Sequence, residues 1–193
     1  MKRSILISMI FLNILTSCSP HRQADNYARK NKITIMHPQA KFNKEESAKQ
    51  LAKGFATIKG VLVHKNHVFA KYITLFPVTE YFESWYLLRK KKENKRNMIL
   101  MSEEALTYRI TTKIDKNGYF TFDNIKPGKY FLQAFKDENF QKNSKTQFNK
   151  RLPNYDAYNP KSENKRHFSP KYERIEKFIE VIKEAEIVKV NFK

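Results

Sequence analysis

Glycine is scarce in this sequence, with 4 glycines among 193 residues. Phosphate-cradling loops and dinucleotide-binding turns need several closely spaced glycines, so the shortage argues against both kinds of site. Hydrophobic residues nevertheless make up 40% of the chain, and aromatic residues 13%. This is enough apolar surface for a packed core, and the length suits one domain with a tail or tether.

Acidic residues are few as well: 19 Asp and Glu stand against 38 Lys and Arg, a net charge of +19. Removal of residues 1–17, argued below, takes away Lys2 and Arg3 and leaves +17. A surface of this sign attracts polyanions. The alternative is that the excess charge only solvates the surface, as runs of charge often do.

A hydrophobic run long enough to cross a membrane is missing from the amino terminus. The apolar stretch there covers residues 4–15, whereas a bilayer needs about 20 residues. With Lys2 and Arg3 in front of it, the stretch predicts a signal peptide over residues 1–17.

Cysteine occurs once, at Cys18, which excludes an intrachain disulfide. The residues Leu15-Thr16-Ser17-Cys18 resemble the lipobox of bacterial lipoproteins. That resemblance implies cleavage before Cys18, diacylation of its thiol and acylation of the new amino terminus. Ser19, which is not Asp, implies the outer membrane if the host is Gram-negative. The alternative is a plain secretory signal with an unrelated cysteine.

The mature chain shows a coarse organisation into a tether over 18–43 and a domain over 44–193. Within the domain, 44–54 and 80–92 have helical spacing, while the alternating segments predict strands over 56–64, 68–79, 105–115, 119–122 and 129–135. Residues 172–193 fit a β-hairpin turning at 183–186. The polar stretch 137–170, with three prolines, is a long insert that is either functional or poorly ordered.

The stretch 114–134 has the clearest pattern, two alternating strands joined by turns, which predicts a β-hairpin that builds the core. Phe120 and Phe122 share one strand face, and Tyr130 can place its ring in the core and its hydroxyl on the backbone. The turn residues are Gly118, Pro127 and Gly128.

These segments resemble the carboxypeptidase regulatory-like domain, a transthyretin-like (prealbumin-like) module. The resemblance covers 56–136 and 172–193, and is carried by Gly60, Val61, Leu75, Pro77, Asp115, Gly118, Phe120, Phe122, Pro127, Gly128 and Tyr130. It implies an all-β Greek-key sandwich of seven strands with an accessory, non-catalytic role. The sequence adds one inserted helix, a short N-terminal helix and inserts at 80–104 and 137–170.

Groups suited to catalysis or metal binding are not evident. His64 and His67 lack a visible third ligand, and Glu103 and Glu104 are adjacent in sequence, so their side chains diverge. Hydroxyisourate hydrolase shares the transthyretin fold but ends in Tyr-Arg-Gly-Ser, whereas this chain ends in Val-Asn-Phe-Lys. We therefore predict no enzymatic activity, no metal and no cofactor other than the covalent lipid.

Two basic segments are the best candidates for binding. The first, over 89–97, offers Arg89, Lys90, Lys91, Lys92, Lys95 and Arg96. The second, in the insert, mixes cations with aromatic residues, with Lys150, Arg151, Tyr155, Tyr158, Lys165 and Arg166 as its candidates. Such mixtures suit phosphate groups, sugars or lipid headgroups. Nucleic acid is not expected, since an exported protein rarely meets it.

The sequence thus predicts a non-enzymatic lipoprotein of the cell envelope, anchored to the membrane by its lipid. It would bind an anionic lipid, a glycan or an envelope protein through its basic and aromatic loops. Three alternatives stay open: an accessory lipoprotein of a secretion or other envelope assembly, a surface protein that binds host polyanions, and an enzyme or metal protein.

Overall fold

The computed structural model describes residues 20–63, 68, 70–136 and 174–192. The predicted signal peptide, Cys18, His64, His67 and the insert over 137–170 lie outside the described residues. Among the residues that are described, no helix is long and apolar enough to cross a membrane.

The described residues form four helices and nine strands. The helices are α1 (Pro20–Asn31), α2 (Lys44–Leu51), α3 (Glu80–Lys92) and α4 (Glu103–Thr107). The strands are β1 (Thr34–Met36), β2 (Ala56–Val61), β3 (Tyr72–Pro77), β4 (Asn97–Ile99), β5 (Ile110–Lys113), β6 (Tyr119–Ile125), β7 (Gly128–Phe135), β8 (Arg174–Val181) and β9 (Ile187–Asn191).

Seven of the strands form two sheets, one with the order β6-β2-β9 and one with the order β5-β3-β7-β8. Their inner faces share one apolar core, to which both sheets contribute: Ile58 and Phe122 from the first, Leu75 and Leu132 from the second. The prediction of an all-β sandwich is confirmed at this level. The two predicted helices are present as α2 and α3, and α1 and α4 are additional.

The long helix covers the outer face of the four-stranded sheet. Phe76 of β3 and Phe131 of β7 point away from the main core and pack with Phe82 and Trp85 of α3 in a second apolar cluster. The central strands β3 and β7 are therefore buried on both faces along much of their length, which explains their nearly continuous apolar sequences. Pro77 stands at the end of β3, where it interrupts no ladder.

The predicted hairpins are wrong in one respect: the strands exist, but the two strands of each predicted hairpin lie in different sheets. The strand β6 pairs with β2, whereas its neighbours in sequence, β5 and β7, both pair with β3. The predicted hairpin at the carboxyl terminus fails in the same way, because β8 pairs with β7 and β9 pairs in parallel with β2. Alternation and turn residues specify a strand and a bend, but they do not say which sheet receives the next strand.

The turn residues nevertheless act as predicted. Gly118 has a φ of 88°, and Asp115 caps the turn by accepting hydrogen bonds from the backbone N–H groups of Asn117 and Tyr119, each at 2.8 Å. Tyr130 is 1% exposed, and its hydroxyl lies 2.9 Å from the carbonyl oxygen of Lys126. This is the contact expected of a tyrosine corner.

The segment predicted to be a tether, 18–43, contributes to the fold. It contains α1, whose Ala24 and Ala28 are buried, and β1, which pairs in parallel with β4. The sequence did not reveal this helix because its apolar face is narrow and its partners, Met98 and Leu100, lie more than 70 residues away. Likewise the predicted strand over 105–115 is correct only from Ile110, since the hydroxyl oxygen of Ser102 caps the short helix α4 before it.

Candidate functional site

The carboxyl end of α3 and the turn after it form an exposed basic surface, which we call the basic corner. Its members are Lys90, Lys91, Lys92, Lys95 and Arg96, all exposed. The helix begins at an N-cap, Thr79, with acidic residues in its first turn and basic residues in its last. Both placements suit the helix dipole, so part of this charge pattern stabilises the helix.

The turn that carries Lys95 and Arg96 is held by two asparagine side chains. The side-chain oxygen of Asn94 accepts hydrogen bonds from the backbone N–H groups of Arg96, at 2.8 Å, and Asn97, at 3.1 Å. The side-chain amides of Asn94 and Asn97 both donate to the carbonyl oxygen of Lys92, which lies at the helix end. The cations of the basic corner therefore project from a defined backbone rather than from a loose loop.

Arg89 does not belong to this exposed surface, in contrast to the prediction. Its side chain is 3% exposed, and it donates two hydrogen bonds to Glu176 of β8, at 2.5 and 2.7 Å. Its guanidinium carbon also lies 4.6 Å from the centroid of the Trp85 ring. Arg89 thus fixes α3 to the sheet, and the sequence could not show this because its partner lies 87 residues away.

The carboxylate of Glu176 stays charged in this setting. Burial alone would raise its pKa, but hydrogen bonds and charge from Arg89, together with Gln133 and Lys90, outweigh burial and lower the pKa below the usual value of 4.5. Gln133 is the register neighbour of Glu176 on β7 and donates to it at 3.0 Å.

The carboxylates beside the basic corner are already engaged. Glu176 is paired with Arg89, and Glu93 is paired with Arg174, the first residue of β8. Only Lys90 of the basic corner reaches one of them, with its Nζ 3.6 Å from an oxygen of Glu176. The other four cations have no carboxylate partner among the described residues, so the corner keeps a strong positive charge.

Two aromatic side chains adjoin the basic corner on the outer surface. Phe178 of β8 is 46% exposed, and its ring lies 4.9 Å from the ring of Tyr86, nearly perpendicular to it. Lys90 places its Nζ 5.3 Å from the Tyr86 centroid. Neither residue is among the binding candidates that the sequence predicts. Phe178 could have been suspected, since it is an aromatic residue between Glu176 and Glu180 on the polar face of an alternating strand.

The described residues that flank the second predicted basic segment lie near the end of α3. Phe135 at the end of β7 pairs with Arg174 at the start of β8, and Arg174 contacts Glu93 at the end of α3. The described residues on either side of the segment 137–173 therefore lie beside the basic corner. The candidates within that segment, Lys150, Arg151, Tyr155, Tyr158, Lys165 and Arg166, lie outside the described residues.

A family model described as polysaccharide lyase family 4, domain II, matches residues 94–148, which is less than a third of the chain. Among solved structures, the chain is similar to a proposed carbohydrate binding protein from Pseudomonas aeruginosa. The two share 18% identity with a TM-score of 0.48, over 79% of this chain and 97% of that one. No curated protein sequence matches.

Among the residues that the structure describes, the other groups that could bind a metal do not gather into a site. Within the described ranges, no group of three or more metal-ligating side chains was found. His21 and His37 stack with their ring centroids 6.3 Å apart, and His37 contacts the carbonyl oxygen of Leu100 through Nδ1 at 3.2 Å. This pair connects the start of α1 to the strand β4 region, and it fits a packing role.

Proposed function

We propose that this protein is a non-catalytic binding module of the cell envelope that recognises an acidic glycan through the basic corner. The observation that carries the proposal is a group of exposed cations on a hydrogen-bonded turn, four of which lack a carboxylate partner among the described residues. Such a surface attracts anions without first breaking strong internal ion pairs.

The family comparison supports a polysaccharide as the anion. The match to the polysaccharide lyase domain begins at residue 94, inside the turn of the basic corner, and runs through β4 to β7. Loops on a rigid sandwich commonly carry the binding function of such folds. We also propose a transthyretin-like topology for the sandwich. The residues of β6 and β7 that resemble the carboxypeptidase regulatory-like domain support this topology.

The proposal also includes a lipid anchor on Cys18, which would hold the module at the envelope. Only Ser19 separates Cys18 from Pro20, where α1 begins. Because one residue spans at most about 3.6 Å, the folded body would sit directly against the membrane surface. A ligand for the basic corner would then belong to the envelope layer next to that membrane.

The test is a binding titration with the full chain purified in detergent. Polygalacturonate is the acidic polysaccharide, and dextran is its neutral counterpart. The variant K91Q/K92Q/K95Q removes three cations of the basic corner, and the matched control K59Q/K113Q/K189Q removes three exposed lysines from the strands. We expect the first variant to weaken binding about tenfold, since three exposed ion pairs contribute about 0.2–1 kcal/mol each.

The control variant should bind polygalacturonate within about twofold of the wild type, and dextran should bind to none of the proteins. Binding should also weaken as salt is added, because exposed charges are screened. Equal losses in the two variants would show that net charge, and not the basic corner, governs binding, and would refute the proposed site.

A further inference from the structure

The aromatic pair beside the basic corner has more structural support than an isolated exposed side chain. Phe178 lies directly opposite Phe131 in the β7–β8 register, and its ring is 4.8 Å from that of Phe131. Phe82 and Tyr86 of α3 contact the same two rings. The part of Phe178 that faces solvent is therefore held in one position by three aromatic neighbours, of which Phe82 and Phe131 are buried.

The cation next to this pair is easily released. Lys90 is 57% exposed, and its contact with Glu176 measures 3.6 Å. Because the ammonium group is largely exposed and the contact is long, this ion pair contributes little to stability. Glu176 would keep its two hydrogen bonds from Arg89 and the one from Gln133 if Lys90 moved to an incoming anion.

We infer that Tyr86, Phe178 and Lys90 form a subsite for one acidic sugar residue of the glycan. The apolar C–H face of the sugar ring would pack on the exposed part of the Phe178 ring beside Tyr86. Its carboxylate or sulfate group would bind Lys90, whose ammonium group lies over the ring of Tyr86, next to Phe178. This inference rests on the proposed function and specifies the ligand class: a polysaccharide whose rings carry acidic groups.

A ligand that binds through charge alone would not need Tyr86 and Phe178, so the subsite predicts different behaviour for two kinds of polyanion. A polyanion without sugar rings, such as polyphosphate, should use only the cations of the basic corner. An acidic polysaccharide should use the cations and the aromatic rings together, because stacking on an aromatic ring adds to the ionic contacts.

The experiment compares two probes on the full chain in detergent, polygalacturonate and polyphosphate, by isothermal titration calorimetry. The variant Phe178→Leu keeps an apolar side chain against Phe131 but removes the aromatic ring. Its matched control is Tyr119→Leu, since Tyr119 is 57% exposed at the start of β6, in the other sheet. We expect Phe178→Leu to weaken polygalacturonate binding about two- to tenfold, the range of one aromatic contact. Polyphosphate binding should stay within about twofold.

A second variant, Lys90→Gln, tests the cation of the subsite and should weaken the binding of both probes. Thermal unfolding shows whether each variant, Phe178→Leu above all, is folded. The variant Phe178→Tyr keeps an aromatic ring at this position and should bind polygalacturonate as the wild type does.

Unchanged polygalacturonate binding in Phe178→Leu would overturn the subsite and leave the basic corner intact as the proposed site. Equal weakening for both probes in a folded Phe178→Leu would assign Phe178 a purely structural role. If wild-type protein binds polyphosphate but not polygalacturonate, the proposed glycan function itself fails, and the subsite fails with it.

Discussion

At the scale of single residues, Tyr130 connects three parts of the chain. Its ring lies in the main core, and its hydroxyl lies 2.9 Å from the carbonyl oxygen of Lys126 and 3.1 Å from that of Gln50. Burial raises the pKa of this hydroxyl to about 12, so it remains a proton donor at neutral pH. The turn between β6 and β7 is thereby tied to the end of α2.

We expect Tyr130→Phe to lower the free energy of unfolding by about 0.5–1.5 kcal/mol, because the hydrogen bond from its hydroxyl to the part-buried carbonyl groups of Lys126 and Gln50 is lost. Tyr130→Ala should cost about 3 kcal/mol or more, since it also leaves a cavity. Chemical denaturation measures both effects. Tyr119→Phe, at an exposed site, serves as the control and should change little; a Tyr130→Ala protein as stable as the wild type would contradict the assigned packing.

The pair Arg89–Glu176 gives a prediction for pH. The pKa of Glu176 is lower in the folded protein than its usual value of 4.5. The stabilisation by its charge is therefore complete above about pH 4.5 and is lost as the pH falls through the folded pKa. Glu176→Gln should destabilise the protein by about 3–5 kcal/mol at pH 7, since it leaves a buried guanidinium without its counter-ion.

The difference between Glu176→Gln and the wild type should shrink as the pH drops below 4.5, when the wild-type carboxylate itself takes up a proton. Urea denaturation at a series of pH values from 7 to 3 measures this. Glu184→Gln, at an exposed position in the next turn, is the control and should follow the wild type. A constant difference across the series would show that the charge of Glu176 does not stabilise the fold.

At the scale of elements, α3 depends on its first turn for the position of the basic corner. The hydroxyl of Thr79 is buried and accepts a hydrogen bond from the backbone N–H of Phe82 at 3.3 Å. Thr79→Ala should cost about 1 kcal/mol, the typical value for an N-cap, whereas Thr79→Ser keeps the oxygen and should retain most of the stability. Thermal unfolding of the two variants, measured side by side, tests this difference in stability. Equal melting temperatures would argue against the cap.

The elements themselves were largely predictable, whereas their pairing was not. Alternation in β6 and β7 and the helical stripe of α3 follow from local side-chain spacing, which a sequence displays directly. Assignment of β6 to one sheet and β7 to the other depends on partners such as Ile58 and Leu75, which are distant in the chain. The basic corner could be predicted from its lysines, but the burial of Arg89 and the aromatic pair depend on β8, which lies beyond the insert.

At the scale of the whole molecule, α1 and β1 connect the proposed anchor to the region of the proposed site. The body begins with α1 directly after the predicted lipidation site, and the carboxyl end of α1 leads into β1. The backbone N–H of Thr34 in β1 donates to the carbonyl oxygen of Arg96 in the basic corner at 2.7 Å. The segment that follows the proposed anchor is thus hydrogen-bonded, through β1, to the turn of the basic corner.

The anchor is tested by Cys18→Ala, which removes the acceptor for the lipid. Each buried CH₂ of an acyl chain contributes about 0.8 kcal/mol to membrane binding, so loss of the chains should shift the protein to the soluble fraction or leave it unprocessed. Fractionation, immunoblotting and metabolic labelling with palmitate measure this, with Ser19→Ala as the control that keeps the cysteine.

A wash in 1 M salt separates attachment by lipid from attachment by charge, since salt screens the basic corner but does not release acyl chains. Normal processing and salt-resistant membrane retention of Cys18→Ala would refute the lipid anchor, whereas retention that the salt wash abolishes would assign membrane attachment to the cations alone.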